Sequence, residues 1–330
     1  MNVLITGGAG YIGSHGALAF MDKGHKVTVV DSLINGSKKL IPKNCKFIKS
    51  DIANEKKISK LLKKNKFDVI VHYAALTSVP ESIKFPRKYY NYNFFKSKKF
   101  INICIKHGLR KIVYSSTAGV YGNQIGKIKE TDLLKPKSPY AKSKLKFENF
   151  LKNLYKKKQI EFMILRYFNV AGADKHLRSG LIQNKGNLIK TLSEVAIKKR
   201  KKITIFGKNY ETKDGTTIRD FINVNDLSNM HVIAAEKIVK TTNFKSQIFN
   251  CGYGYGYTVK QIIDSMQMII KNKINYEFGP RRKGDIEYSV SNPAKFKKKF
   301  LWKPRFNNIK VTLKSALAWE KKIVGGNFRK

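Results

Sequence analysis

Acidic residues are scarce in this sequence. Against 67 Lys and Arg there are 22 Asp and Glu, a formal charge of +45 over 330 residues. Cysteine is nearly absent: Cys45, Cys104 and Cys251 stand far apart, which excludes a disulfide framework or a zinc site and suits a reducing, cytoplasmic compartment. All three read as small buried hydrophobes, and no metal is expected. No apolar run approaches the roughly 18 residues of a membrane span. The start, MNVLITGGAG, has no basic leader and meets glycines at once, so it reads as a buried strand and not as a signal peptide. No low-complexity linker and no internal repeat divides the chain.

Such an excess of positive charge raises nucleic acid as a partner. Its distribution argues otherwise. The clusters KLLKKNK, LYKKKQ, IKKRKK and KFKKKF are scattered along the chain, with no zinc-finger, basic-zipper or aromatic RNA-binding motif beside them. We read a solvated basic surface with no specific nucleic-acid partner, one that still concentrates anionic small molecules near it.

What is present is alternation. The runs NVLIT, KVTVVD, KFIKSD, DVIVHYAA, KIVYSS and EFMILRYFN have strand character, and amphipathic helical stretches separate most of them. That order predicts an α/β fold, a Rossmann-type doubly wound parallel sheet, and the near-continuous apolar strands suit a sheet covered on both faces. Beyond position 168 the pattern is irregular, with a helix after Asn187. We therefore expect a dinucleotide-binding domain over 1–168 plus about 225–250, and a smaller mixed α/β lobe for substrate over 169–224 and 251–330.

In VLITGGAGYIG, Gly7, Gly10 and Gly13 follow a strand and open a helix. The first serves the tight turn, the second the close approach of a pyrophosphate, and the third the packing of the helix. The phosphates would meet the free amides of the helix N-terminus. Asp31, closing KVTVVD, can accept hydrogen bonds from the adenosine ribose hydroxyls and would repel an added phosphate, which favours NAD over NADP. In SPYAKSK, Tyr140 and Lys144 stand one helical turn apart. A free tyrosine, with a pKa of about 10, is a poor base, and a nearby lysine cation and a positive nicotinamide ring favour its phenolate.

The stretches GGAGYIGSH, SDI, HYAALTSVPES, VYSSTAGVYG, SPYAKSK, LRYFNVAGA, GTTIRDFINVNDL and PRRKGD together resemble the extended short-chain dehydrogenase/reductase family, and within it the UDP-glucose 4-epimerases (UDP-galactose 4-epimerases), over essentially the whole chain. The resemblance implies an NAD enzyme that interconverts UDP-galactose and UDP-glucose through a 4-keto intermediate. It implies Tyr140, Lys144 and Thr117 as the catalytic set, with Ser115 and Ser116 as neighbouring hydroxyls that a small shift of alignment would put in place of Thr117. Around the cofactor it places Gly7, Gly10, Tyr11, Ile12, Gly13, Asp31, Asp51, Ile52, Ala74, Ala75, Asn93, Lys144 and Tyr167. Around the UDP-hexose it places Thr117, Tyr140, Asn169, Asn187, Arg219, Arg281, Asp285 and Ser289, while Arg282 and Arg305 receive no role.

A second reading is another nucleotide-sugar enzyme of the same fold, such as a 4,6-dehydratase. Those carry an Asp and Glu pair after the threonine, where this chain has Ala118 and Gly119. Two departures from the epimerase pattern, Thr77 in place of a lysine and Pro80 in place of a glycine, touch the cofactor loop and leave the catalytic set alone. His72 and His107 read as a buried and a helix-end residue. Counting from Asp285, the sugar-pocket wall falls on Ser289, small enough to admit an N-acetyl group; a one-residue slip would put Tyr288 there instead. The aromatic helices FPRKYYNYNFFKSKKFINICIKH and SPYAKSKLKFENFLKNLYKKK have more apolar positions than one stripe against the sheet requires, and the resemblance implies that they pair in a homodimer.

Overall fold

The apolar run after Met1 forms β1 (Asn2–Thr6), which ends at Gly7, where the backbone turns to φ +74°. In the computed structural model, which describes residues 1–124, 126–183, 186–282 and 284–326, the next elements alternate as the sequence predicts. They are α1 (Tyr11–Asp22), β2 (Lys26–Asp31), β3 (Lys46–Lys49), α2 (Glu55–Lys64) and β4 (Val69–His72). A short α3 (Val79–Lys84) comes first, and the stretch expected as one aromatic helix then runs without leaving helical backbone as α4 (Pro86–Tyr90), a π-helical turn over Asn91–Lys96, and α5 (Ser97–Lys106). Pro86 can only open a helix, which separates α3 from α4.

Then come β5 (Lys111–Thr117), α6 (Pro139–Lys156) and β6 (Glu161–Tyr167). Short elements follow: β7 (Asn169–Ala171), α7 (Leu188–Ala196), β8 (Ile203–Phe206), β9 (Ile218–Arg219) and β10 (Phe221–Asn223). After α8 (Val224–Lys240) and β11 (Gln247–Cys251), the chain closes with β12 (Tyr257–Thr258), α9 (Val259–Ile270), β13 (Tyr276–Gly279), β14 (Tyr288–Ser289), α10 (Ala294–Phe300) and α11 (Ile309–Val324). Among the described residues no helix is long and apolar enough to cross a membrane.

Seven strands make one sheet in the order β11-β6-β5-β4-β1-β2-β3, with β1 paired in parallel to both β2 and β4. Placing β1 between β2 and β4 reverses the winding there, and in such sheets the ligand crevice lies at the carboxyl ends of the strands flanking that reversal. Here those ends are Thr6 and His72, which are direct partners in the ladder. Helices on the sheet bury Leu4, Ile70, Ile112, Phe100, Phe147 and Ile164 in one core.

The chain divides into two compact units. The first comprises Met1–Val120, Pro136–Arg166 and Ser228–Phe249; the second comprises Tyr121–Lys135, Tyr167–Leu227 and Asn250–Lys330. The second unit has its own core, in which Leu192, Ile203, Ile262, Met266 and Leu313 are buried between α7, α9 and α11. Its strands are short, in the sets β12-β9-β14, β10-β7 and β13-β8. Cys104 and Cys251 are buried, whereas Cys45 is only half-buried.

Candidate active site

The glycine turn after β1 is built for close approach. A side chain on Gly13 would put its Cβ 2.1 Å from the Gly7 carbonyl oxygen, and one on Gly7 would meet the Ala74 nitrogen at 2.6 Å, so both positions exclude a Cβ. A Cβ on Gly10 would meet only the Gly7 oxygen at 3.3 Å, which leaves its outer side open. Gly10 caps α1 without any side-chain hydrogen bond, and the positive end of a helix dipole at such a start favours an anion. Asp31, at the end of β2, accepts Ala9 N–H at 3.0 Å and Leu33 N–H at 2.7 Å. Burial pushes its carboxyl up while those two donors pull it down. An open glycine face, a helix start without a side-chain cap and a carboxylate at the next strand end fit a dinucleotide: Gly10 to Gly13 would hold its phosphates and Asp31 its adenosine ribose.

At the end of β5 stands Thr117, and α6 begins where Ser138 accepts Ala141 N–H at 3.2 Å ahead of Pro139, a helix start built from a side-chain cap and a pre-set φ. Tyr140 and Lys144 therefore lie one turn apart on the same side of α6. The Thr117 hydroxyl lies near enough to the Tyr140 phenol to oppose the effect of burial on it. Because Thr117 Oγ1 already accepts Gly119 N–H at 3.1 Å, its own hydrogen is available to the phenol oxygen. The competing hydroxyls are engaged elsewhere: Ser115 with His231 Nε2 at 3.0 Å, and Ser116 with Glu148 Oε1 at 2.5 Å.

One electrostatic expectation needs correction. Burial pushes the Tyr140 phenol up to about 12, and the opposing pull comes from Thr117, not from Lys144. Lys144 is 3% exposed, and burial draws its ammonium down to about 7, opposed by the charge of Glu148. Its Nζ lies 4.4 Å over the Tyr114 ring, which favours the cation without bringing it to the phenol. Without further positive charge, then, Tyr140 is a phenol with the Thr117 hydroxyl beside it.

The loop after β4 carries Ala74 and Ala75, and Ala74 N–H reaches Thr6 Oγ1 at 3.5 Å. Asn93 lies in the π-helical turn and is buried. Its Oδ1 accepts Leu76 N–H at 2.8 Å, and its amide donates to Leu76 O at 3.0 Å and Ser143 Oγ at 3.1 Å. Asn93 thus clamps this loop to α6. Asp51 accepts Ala53 N–H at 2.8 Å and pairs with Lys96, and Ile52 is buried. His72 is a packed strand residue between Thr6 Oγ1 at 2.6 Å and Ser97 Oγ at 3.0 Å, held neutral by burial.

In the second unit Tyr167 ends β6, Asn169 opens β7 with its side chain exposed, and Asn187 caps α7 by accepting Lys190 N–H at 3.0 Å. Arg219 is well ordered by contacts: Nη2 binds Asp285 Oδ1 at 2.7 Å, and Nη1 donates to Ile218 O and Glu287 O at 2.9 and 3.2 Å. Ser289 is buried and is the ladder partner of Arg219 in the β14–β9 pair. Arg281 stacks on Tyr210 at 4.1 Å and donates to Asn209 through both Nε and Nη2. Arg282 stacks on Phe206 at 3.7 Å, and the charge of Asp285 opposes the burial that draws its guanidinium down.

The sequence profile of the NAD dependent epimerase/dehydratase family matches residues 3–252. This chain belongs to that family. It is 37% identical over 325 residues to UDP-glucose 4-epimerase of Lactobacillus helveticus, covering 97% of each chain. Among solved structures it is similar to the UDP-glucose 4-epimerase of Stenotrophomonas maltophila with bound NAD and formylated UDP-arabinopyranose, with a TM-score of 0.94, 31% identity and 99% of both chains covered. It is also similar to the UDP-Glc/GlcNAc 4-epimerase of Campylobacter jejuni, with a TM-score of 0.83, 39% identity and coverage of 97% and 99%.

Within this family assignment, two candidates come from the structure and not from the sequence. Arg282 was set aside as one basic residue among many, yet it shares its surroundings with Arg219, Asp285 and Tyr210. The other is Glu148, whose only signal in the sequence is its place four residues after Lys144; that spacing marks it for the same helix face.

Proposed function

We propose that this chain interconverts UDP-galactose and UDP-glucose by inverting C4, with NAD held by Gly7, Gly10 to Gly13 and Asp31. The observation that carries the reading is the Thr117 hydroxyl beside the Tyr140 phenol, with the buried Lys144 one turn behind it. Tyr140 takes the proton of the 4-hydroxyl through Thr117 as the 4-keto sugar forms, and returns it when the alcohol is restored. NAD, when bound, supplies the acceptor and donor of the C4 hydride. Its positive ring also adds the charge that Tyr140 lacks on its own, favouring the phenolate. Turning of the ketone between the two transfers exposes its other face and inverts the centre. Arg219 and Arg282 suit the diphosphate, since a planar guanidinium makes paired, charge-assisted hydrogen bonds.

Elimination of water is disfavoured as a second reading. It needs an added acid and base, and the two residues after Thr117 are Ala118 and Gly119. A reading that includes UDP-N-acetylhexosamines has one specific support, the small Ser289 beside Arg219. The chain as a cytoplasmic homodimer is also proposed: Phe85, just before α4, and Phe95, within the π-helical turn, are 48% and 54% exposed and suit burial against a second copy. The deciding experiment is to denature the purified protein, identify the cofactor released, and follow UDP-galactose conversion without added NAD. Tightly held NAD and conversion to UDP-glucose support the reading; no conversion with NAD present rejects it.

A further inference from the structure

Glu148 is fully buried, and its carboxylate collects three donors from two strands. Oε1 accepts Ser116 Oγ–H at 2.5 Å and Arg166 Nε–H at 3.0 Å, while Oε2 accepts Arg166 Nη2–H at 2.5 Å. Ser116 and Arg166 are buried as well. Replacing such an ion pair with apolar groups of similar volume is often neutral or stabilising, so stability alone is a poor reason for its presence. What the contacts accomplish is geometric. Ser116 directly precedes Thr117 at the end of β5, and Glu148 stands one turn beyond Lys144 and two beyond Tyr140 on α6.

We propose that Glu148 is a positioning residue for the epimerisation: through Ser116 it fixes the strand end that carries Thr117 to the helix that carries Tyr140 and Lys144, and it sets a negative charge behind the Lys144 ammonium. The inference rests on the functional reading above. The other groups facing Lys144 are His72 on β4, kept neutral by burial, the Tyr114 ring on β5, and Tyr140 on its own helix. Among the described residues, Glu148 is the carboxylate whose charge opposes the effect of burial on Lys144. Arg166 pairs with that carboxylate and Lys152 faces it from the same helix, so it is fixed in place and not free to turn away.

Three variants test this. Ser116→Ala cuts the tie to β5 and keeps the charge; kcat is expected to fall about tenfold, a barrier change of about 1.4 kcal/mol, with KM and the pH profile unmoved. The double variant Glu148→Leu with Arg166→Leu removes both charges at once and leaves no lone buried ion. Its Lys144 side-chain carbon resonance, followed in 13C-lysine-labelled protein, is expected to titrate about one pH unit or more below wild type, and the alkaline limb of kcat to move down with it. Glu148→Asp keeps the charge on a shorter arm, so the Lys144 midpoint should hold while kcat falls; it serves if the double variant fails to melt cooperatively. Ser116→Ala turnover within about twofold of wild type, an unmoved Lys144 midpoint in the double variant, or an unchanged kcat in Glu148→Asp overturns the proposal. Because the lysine titration is read without substrate, it judges this inference separately: wild-type protein that converts no UDP-sugar would reject the function, not the coupling.

Discussion

Asn93 and Leu76 exchange two hydrogen bonds, the Leu76 N–H to Oδ1 at 2.8 Å and the side-chain amide to the Leu76 carbonyl at 3.0 Å. With the third, to Ser143, they tie the loop that follows β4 to the helix of Tyr140 and Lys144. Asn93→Ala leaves the buried Leu76 amide and carbonyl without these partners, an expected loss of about 2–3 kcal/mol. Urea unfolding measures that loss. Cofactor retained after gel filtration should drop as well, since Ala74 and Ala75 directly precede the clamped Leu76. A variant as stable as wild type would show that the loop holds itself.

Removal of the Tyr140 hydroxyl should separate binding from chemistry. Tyr140→Phe keeps the ring against Tyr89, 6.4 Å away edge to face, and so should keep bound NAD. It deletes the ionisable oxygen, and epimerisation should fall by far more than threefold. Activity within about threefold of wild type, less than ~1 kcal/mol of barrier, would reject Tyr140 as the base. Thr117→Ser retains the hydroxyl and should be mild, whereas Thr117→Val should approach the Tyr140 variant.

The two groups also leave opposite marks on stability against pH. Lys144 titrates at about 7 in the folded chain against 10.5 in its ordinary state, so between those values the unfolded chain binds the extra proton and stability rises with pH. Tyr140 sits at about 12 against 10.0, so above about pH 10 the native state holds a proton that the unfolded chain has released, and its contribution falls as pH rises. Lys144→Met should therefore be more stable than wild type near pH 7, with the difference shrinking toward pH 10. Urea unfolding of both proteins at pH 7, 8.5 and 10 checks it, and a constant difference would mean that Lys144 is not held down by burial.

Much of this was legible in the residues. The strand runs from NVLIT to EFMILRYFN gave the parallel sheet because a doubly covered strand must be apolar on both faces, and the spacing of Tyr140 and Lys144 gave one helix face. The π-helical turn was not legible. NYNFFK contains neither glycine nor proline, and the partners that Asn93 finds inside the turn, Leu76 and Ser143, are distant in sequence. Nor could sequence show that Arg166 is buried, since a lone arginine in a strand run becomes affordable only with Glu148 eighteen positions away. The two-residue strands β9, β12 and β14 are too short for any period to appear.

Arg281 and Arg282 should differ although they are adjacent. Arg281 spends its donors on Asn209 and its face on Tyr210, while Arg282 stacks on Phe206 beside the charges of Arg219 and Asp285. For a UDP-sugar, Arg282→Ala should raise KM by about tenfold or more, as loss of a charge-assisted contact to a diphosphate does, and Arg281→Ala by less than about threefold. Steady-state kinetics of both variants decide it. The reverse order would return the diphosphate role to Arg281.

We propose that Ser289 sets how large a sugar the site admits. It is buried and shares a rung with Arg219, whereas Tyr288, one position earlier, is the partner of Ile218, and successive residues of a strand point to opposite faces. If the face of Ser289 is the one turned to the sugar, a hydroxymethyl leaves space where a phenol would crowd an N-acetyl group, and the enzyme should interconvert UDP-N-acetylglucosamine and UDP-N-acetylgalactosamine beside the unsubstituted pair. Ser289→Tyr should then depress the N-acetyl reaction by at least about tenfold in kcat/KM and leave the UDP-galactose reaction within about threefold, because only the larger substrate meets the new ring. Wild-type rejection of both N-acetylated substrates would move the wall to Tyr288. In that case Tyr288→Ser, on the other face, is the substitution that should open it.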